Sequence, residues 1–125
     1  MRNELRPSEM LAEFHKIFSP NESYDNADNR QLRIALLREE FEEYVAAEKA
    51  NDLVEIADAL ADMIYIIYGT ALVYKIPLDE IVSEVHRSNL SKLGDDGRPV
   101  RRGDGKILKG PNYFKPRIRE ILDAK

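Results

Sequence analysis

A chain of 125 residues suffices for one domain with a real core but not for two. At 43% hydrophobic and 34% charged it reads as an ordinary soluble, helix-rich protein, and the absence of cysteine excludes both a disulfide framework and a thiolate metal site. A net charge of −4 argues against general nucleic-acid binding, and neither a signal peptide nor a bilayer-spanning run is evident, the longest apolar-rich stretch, 59–74, carrying Asp62; the expectation is a cytoplasmic protein with no nucleic-acid partner and no membrane.

Residues 1–7 are polar. Ser8 is placed to cap a first helix, with Met10, Leu11, Phe14, Ile17 and Phe18 at helical spacing. Ser19-Pro20-Asn21 stops it, and the turn formers from Asn21 to Asp28 read as a loop. Asp28 with Gln31 three residues on forms a capping-box signature, so a second helix is expected over about 29–50. Its apolar stripe includes Leu32, Ala35, Leu36 and Val45. Asn51-Asp52 leaves room only for a tight turn, which makes the second and third helices antiparallel neighbours.

The third helix, 53–74, is apolar on almost every face: Val54, Ile56, Leu60, Met63, Ile64 and Ile67 already circle it. Such a helix is normally buried on most sides. Too little chain remains to surround it, so a second copy of the chain is expected to cover part of it. Lys75-Ile76-Pro77 breaks the helix, and a fourth follows over 78–93 with Ile81, Val82, Val85 and Leu90 inside. Beyond Gly94 the turn dipeptides Asp96-Gly97 and Asp104-Gly105 change the texture. Lys106-Ile107-Leu108 suits a short hairpin strand, and 116–124 a final helix. The expected fold is a single all-α domain over 1–125. It is an antiparallel bundle of four main helices, completed by oligomerisation and carrying an irregular basic C-terminal loop or hairpin.

Charge is not spread evenly. Between Glu39 and Asp62 there are nine acids and one base, Lys49, whereas between His86 and Arg119 there are ten Lys/Arg and three acids. On a helix Glu55, Asp58 and Asp62 fall within a stripe about 60° wide. Glu40 and Glu43 lie one turn apart, with Glu39 beside them. Asp58 and Asp62 interrupt an apolar helix that offers no Lys or Arg before Lys75, and buried carboxylates must be paired or bind metal. Glu42 and Glu48 read as solvated surface acids. Glu55 either ligates metal or closes a capping box with Asp52. Oxygen-only ligands favour a hard cation, Mg2+ or Mn2+. Neither His15 nor His86 lies at Glu-x-x-His spacing from these acids, which weakens a di-iron reading. Hard cations on carboxylates usually act on phosphate oxygens, and Arg87, Lys92, Lys106 and Lys109 could hold those phosphates. The residues by themselves therefore point to metal-assisted hydrolysis of a phosphate anhydride.

The stretch Glu39-Glu40-Phe41-Glu42-Glu43 followed by Glu55-x-x-Asp58 resembles the paired acidic motif of the all-α NTP pyrophosphatases. That superfamily includes MazG, the dimeric dUTPases and phosphoribosyl-ATP pyrophosphohydrolase. The segment from Asp58 to Tyr65 resembles its metal helix, and His86-Arg-Ser-Asn89-Leu-Ser-Lys92 resembles a second motif. The tail from Asp104 to Tyr113 is similar to a MazG-like branch labelled phosphoribosyl-ATP pyrophosphohydrolase-like, and the similarity covers about 32–116.

The resemblance implies a helical dimer or higher homo-oligomer. It implies Mg2+-dependent cleavage of a nucleoside triphosphate between the α and β phosphates. Carried over by position, Glu40, Glu43 and Asp58 are metal ligands, and Glu39 binds metal or orients the attacking water. The family's aspartate matches Asp58 in one register and Asp62 in another, so Glu55, Asp58 and Asp62 all stand as candidate ligands. Asn89 and Lys92 would contact phosphate or sugar, Lys106 and Lys109 the pyrophosphate, and Tyr113 or Tyr65 a base. Phosphoribosyl-ATP hydrolysis, dUTP hydrolysis and a non-catalytic nucleotide- or metal-binding helical dimer are the alternatives.

Overall fold

The computed structural model describes residues 4–18 and 27–124. Among these the element order is α1 (Pro7–Phe18), α2 (Ala27–Lys49), α3 (Leu53–Val73), α4 (Leu78–Leu90), β1 (Val100–Arg101), β2 (Ile107–Leu108) and α5 (Ile118–Asp123). The expected all-α class with four main helices is what the chain forms. The stop at Ser19-Pro20-Asn21, most of the loop that follows it and the Asp28 side chain lie outside the described residues. The chain divides into two compact units, residues 1–76 and 77–125.

In the first unit, α1 and α2 both pack on α3. The start of α1 differs from expectation. Pro7 occupies the first helical position, where its missing N–H costs nothing. The Arg6 amide donates to Glu9 Oε1 at 2.8 Å, and Arg6 O accepts from the Glu9 and Met10 amides. Ser8 therefore sits inside the first turn and is not the cap.

The turn between α2 and α3 closes one helix and opens the next. Asn51 adopts a φ of 53°, and its amide donates to Glu48 O while the Asp52 amide donates to Ala47 O. This is a Schellman closure, built on a residue that tolerates the left-handed region. Asp52 then caps α3, its carboxylate accepting from the Glu55 amide at 3.2 Å. Because the Asp52 amide is already bonded to Ala47, only this half of the expected capping box forms. The end of α3 repeats the device, with Lys75 at a φ of 58° and the Ile76 amide bonded to Ala71 O.

Gly69 lies where α1 and α2 approach α3 together. A Cβ there would stand 2.8 Å from Arg33 Nη2 and 3.4 Å from Leu11 Cδ1. Arg33 is buried, and donates from Nε to Thr70 Oγ1 at 3.0 Å and from Nη2 to Ile66 O at 3.3 Å. Among the described residues of this unit the buried apolar set is small: Leu11, Ala47, Ala59, Ala71 and Val73. Leu60, Ile64 and Ile67 of α3 and Ile34, Leu37 and Phe41 of α2 all remain exposed. At 21 residues, α3 is longer than the apolar run seen in the sequence, and by length and composition it could cross a membrane. The core helix of a soluble bundle has the same length and composition, and this one carries Glu55, Asp58 and Asp62.

In the second unit α4 ends at Leu90, short of the expected boundary. The Lys92 amide donates to Asn89 O and the Leu93 amide to Leu90 O, the tighter i to i−3 pattern common at helix ends. The expected hairpin forms, pairing Val100 with Leu108 and Arg101 with Ile107 in antiparallel register. Gly105, at a φ of 90°, makes its turn possible.

Leu11 is the most deeply buried apolar side chain, at 2% exposure. Leu11→Ala should lower the unfolding free energy by about 2–5 kcal/mol in urea titrations, whereas Ile17→Ala on the same helix, at 64% exposure, should change it by less than about 0.5 kcal/mol.

Candidate active site

The tight 50–52 turn folds the acidic second half of α2 back along the first half of α3. Within α2, carboxylate oxygens of Glu39, Glu40 and Glu43 lie within 4.8 Å of one another. Residues three and four apart share a helix face, which brings Glu39 and Glu40 to Glu43. From α3 the acid that reaches Glu40 is Asp62. Asp58 and Glu55 are exposed, one and two turns nearer the start of α3, and lie outside the three-glutamate cluster.

Glu40 is strongly perturbed. Its carboxyl is pushed up from 4.5 to about 7, first by desolvation, then by the negative charges of Asp62 and Glu43, and then by hydrogen bonding to the same two carboxyls. Its Oε2 is buried and has no hydrogen-bond donor. With all three groups ionised no donor exists, so hydrogen bonds to Asp62 and Glu43 require a proton on one member of the set. A proton or a cation would satisfy the same orphaned oxygen. The donor set is all oxygen, which suits a hard divalent ion.

Glu39 and Glu43 also share an open, exposed face of α2 with Ala35, Arg38, Glu42 and Ala46. One of these residues, Arg38, was not singled out from the sequence. Glu42 is exposed, as expected, and shares that face with Glu39 and Glu43. Arg38 is the one cation among these residues, and its place one turn before Glu42 was the available signal. Tyr65, a candidate base stacker, packs edge-on against Phe14 of α1, with ring centroids 5.3 Å apart.

The second unit carries the candidate phosphate ligands. Asn89 is exposed near the end of α4, and Lys92 follows it in the closing turn, its amide bonded to Asn89 O at 3.1 Å. Lys106 lies in the hairpin turn, where its amide donates to Asp104 Oδ1. Lys109 follows β2 and places Nζ 4.8 Å from the centroid of the half-buried Tyr113 ring. His86 is exposed on α4.

Glu40 links this site to stability. Unfolded, it releases its proton near 4.5; folded and metal-free, near 7. Between these values the folded state holds a proton the unfolded chain has lost. Its contribution is therefore complete below 4.5 and is lost as pH rises through 7. In chelator, the melting temperature should fall across that window, and Glu40→Gln should remove most of the fall.

The description Phosphoribosyl-ATP pyrophosphohydrolase belongs to the family model that matches residues 11–89. The match starts in α1, earlier than the motif resemblance, and takes in Glu39, Glu40, Glu42, Glu43, Glu55, Asp58 and Asp62 together with Asn89. It stops before Lys92, Lys106, Lys109 and Tyr113. An uncharacterized protein of Acanthamoeba polyphaga mimivirus is 36% identical over 85 residues, which is 68% of this chain and 30% of the viral protein. The chain thus spans about a third of that relative's length. The crystal structure of a candidate NTP pyrophosphohydrolase from Exiguobacterium sp. 255-15 superposes with a TM-score of 0.49 at 18% identity, covering 98% of this chain and 100% of that one, a likeness too low to carry an argument. The family match over α1 to α4 and the carboxylates gathered around Glu40 agree, and the chain belongs to the phosphoribosyl-ATP pyrophosphohydrolase family of MazG-like proteins.

Proposed function

We propose that the two units act as one domain and that the protein is a metal-dependent pyrophosphohydrolase. It cleaves the α–β anhydride of a nucleoside or deoxynucleoside triphosphate, giving the monophosphate and pyrophosphate. The observation that carries this reading is the buried, donorless oxygen of Glu40 among Glu39, Glu43 and Asp62. A purely structural acid would be paired with a base, and the acids around Glu40 supply only more negative charge.

In this reading Glu40, Glu43 and Asp62 hold the cation, with Asp58 and Glu55 able to join from the exposed start of α3. Mg2+, or Mn2+ in its place, supplies charge neutralisation of the triphosphate and acidification of water when bound. Glu39 is exposed at the edge of the cluster and takes the proton from the attacking water. Water adds to phosphorus in line with the bridging oxygen; the anhydride bond breaks, and pyrophosphate departs with the bond pair. Asn89, Lys92, Lys106 and Lys109 hold phosphate, and Tyr113 offers a ring to the base.

The protein acts as a homodimer or higher homo-oligomer, in the cytoplasm. Support for the oligomer comes from a groove of about 490 Å3 lined by Ile34, Leu37, Phe41, Met63 and Ile67 with Arg38 at its edge. Ile34, Leu37 and Phe41 repeat at three and four residues along α2, the spacing of a helix seam. Charge also favours a second copy. Along α2 the exposed bases Arg30 and Arg38 precede the acids from Glu39 to Glu48, so an antiparallel pair of α2 helices would set bases against acids.

The family match favours phosphoribosyl-ATP as a second substrate reading. A panel of NTPs, dNTPs and phosphoribosyl-ATP with Mg2+, assayed for pyrophosphate, tests both. Release from none of them would overturn the enzyme reading. Glu43→Gln should reduce kcat at least about a hundredfold with an unchanged helical circular dichroism spectrum. Phe41→Glu should shift the sedimentation coefficient to that of a single chain; an unshifted coefficient would place the contact elsewhere.

A further inference from the structure

The last turn of α4 does something the pyrophosphohydrolase reading leaves unexplained: it holds a distant piece of backbone by both of its polar groups. Ser88 is 2% exposed, and its Oγ donates to Phe114 O at 2.7 Å. The Phe114 amide donates to Ser91 Oγ at 3.1 Å, and Ser91 Oγ in turn donates to Ser88 O at 2.5 Å. Two hydroxyls, three residues apart on one helix face, thus replace the strand partner that residue 114 lacks. Serine is otherwise unremarkable at a helix end, where it bonds its own turn. Here both hydroxyls reach 23 and 26 residues along the chain.

Neighbouring contacts fix the same segment. The Arg87 guanidinium lies 4.3 Å from the Phe114 ring centroid, and Glu84 accepts from both Arg87 and the Arg117 amide. At the other end of the strap, Gly110 lies directly against backbone. A Cβ there would stand 2.7 Å from Lys92 O and collide with Leu93 O. No side chain can replace that hydrogen without moving the strap. Between these anchors Asn112 Nδ2 donates to Asp95 Oδ1 at 3.2 Å.

Lys109 immediately precedes the Gly110 anchor, and Tyr113 immediately precedes the Phe114 anchor. Both are therefore held against the end of α4 that presents Asn89 and Lys92. We infer that Ser88, Ser91 and Gly110 are positioning residues that weld the Lys109–Tyr113 arm to the end of α4, making Asn89, Lys92 and Lys109 one preformed polyphosphate subsite. The inference rests on the pyrophosphohydrolase reading for the identity of the substrate, and on the contacts above for the subsite. Preformation matters because an arm ordered only on binding would spend interaction energy on its own ordering. Two cations and one amide on one rigid element act together, whereas on a loose tail they would act singly.

The test compares Ser88→Ala, Ser91→Ala, Gly110→Ala and Lys109→Ala in the full chain. In the Ser91→Ala variant KM should rise about tenfold, with kcat within about twofold, because the lost interaction is uniform binding. Affinity for inorganic tripolyphosphate without metal, read by calorimetry, should fall by a similar factor, and Ser91→Thr, which keeps the hydroxyl, should restore it. Ser91→Ala should add little to Lys109→Ala, since both act through one arm. Independent, additive losses, or equal losses in kcat and KM with a lowered melting temperature, would reduce the clamp to a structural role and overturn the inference. Wild-type protein that binds no tripolyphosphate would overturn it as well. Wild-type protein that binds tripolyphosphate but hydrolyses no nucleotide would overturn the enzyme reading and leave the subsite standing.

Discussion

A carboxylate oxygen removed from water needs a donor, a proton or a cation, and Glu40 Oε2 is surrounded by groups that supply none of these when ionised. The arrangement is unfavourable in the metal-free chain, as the raised affinity of Glu40 for a proton reports. The fold tolerates it because the surrounding helices are determined by other contacts. The Schellman closure at Asn51 and the Asp52 cap set where α3 begins. Arg33, bonded to Thr70 and to the Ile66 carbonyl, ties α2 to α3 farther along. Between those two fastenings the acids have little freedom to part.

The cost is paid within a unit that has little core to spare. Among its described residues the buried apolar ones are one leucine, one valine and three alanines, while large side chains on α2 and α3 face outward. Alanines at helix crossings bring backbones close but bury little area, so they contribute little of the hydrophobic stabilisation. A second copy over the Ile34–Leu37–Phe41 seam would supply the missing area. The same seam runs into Arg38, which also shares the exposed α2 face of Glu39 and Glu43. Assembly and site would then share a residue, and the packing of copies would bear on the geometry of the acids.

The second unit solves a different problem. Beyond α4 its elements are short and weakly self-stabilising: a hairpin of two residues per strand and a six-residue helix. Isolated pieces of this size are marginal in water. Side chains of α4 and of Ser91 just beyond it anchor the segment between hairpin and helix at Phe114 and Arg117, through hydroxyls, one carboxylate and a guanidinium stacked on a ring. Arg87, which the sequence offered as a phosphate ligand, is instead engaged with Glu84 and Phe114.

Helix number, order and most boundaries were legible in the sequence, because periodicity and turn chemistry act over a few residues. The Asn51-Asp52 turn, the break at Lys75 and the hairpin strand at Ile107 were all plain from it. The face carrying Glu55, Asp58 and Asp62 was legible for the same reason. Which of those acids meets Glu40 was not. A helical period fixes angles about one axis and says nothing of how two helices are rotated and shifted against each other. Tertiary packing decided that Asp62 approaches Glu40 and that Asp58 stays exposed. It also decided the roles of Ser88 and Ser91, whose partner lies 23 and 26 residues away, beyond the reach of any local pattern.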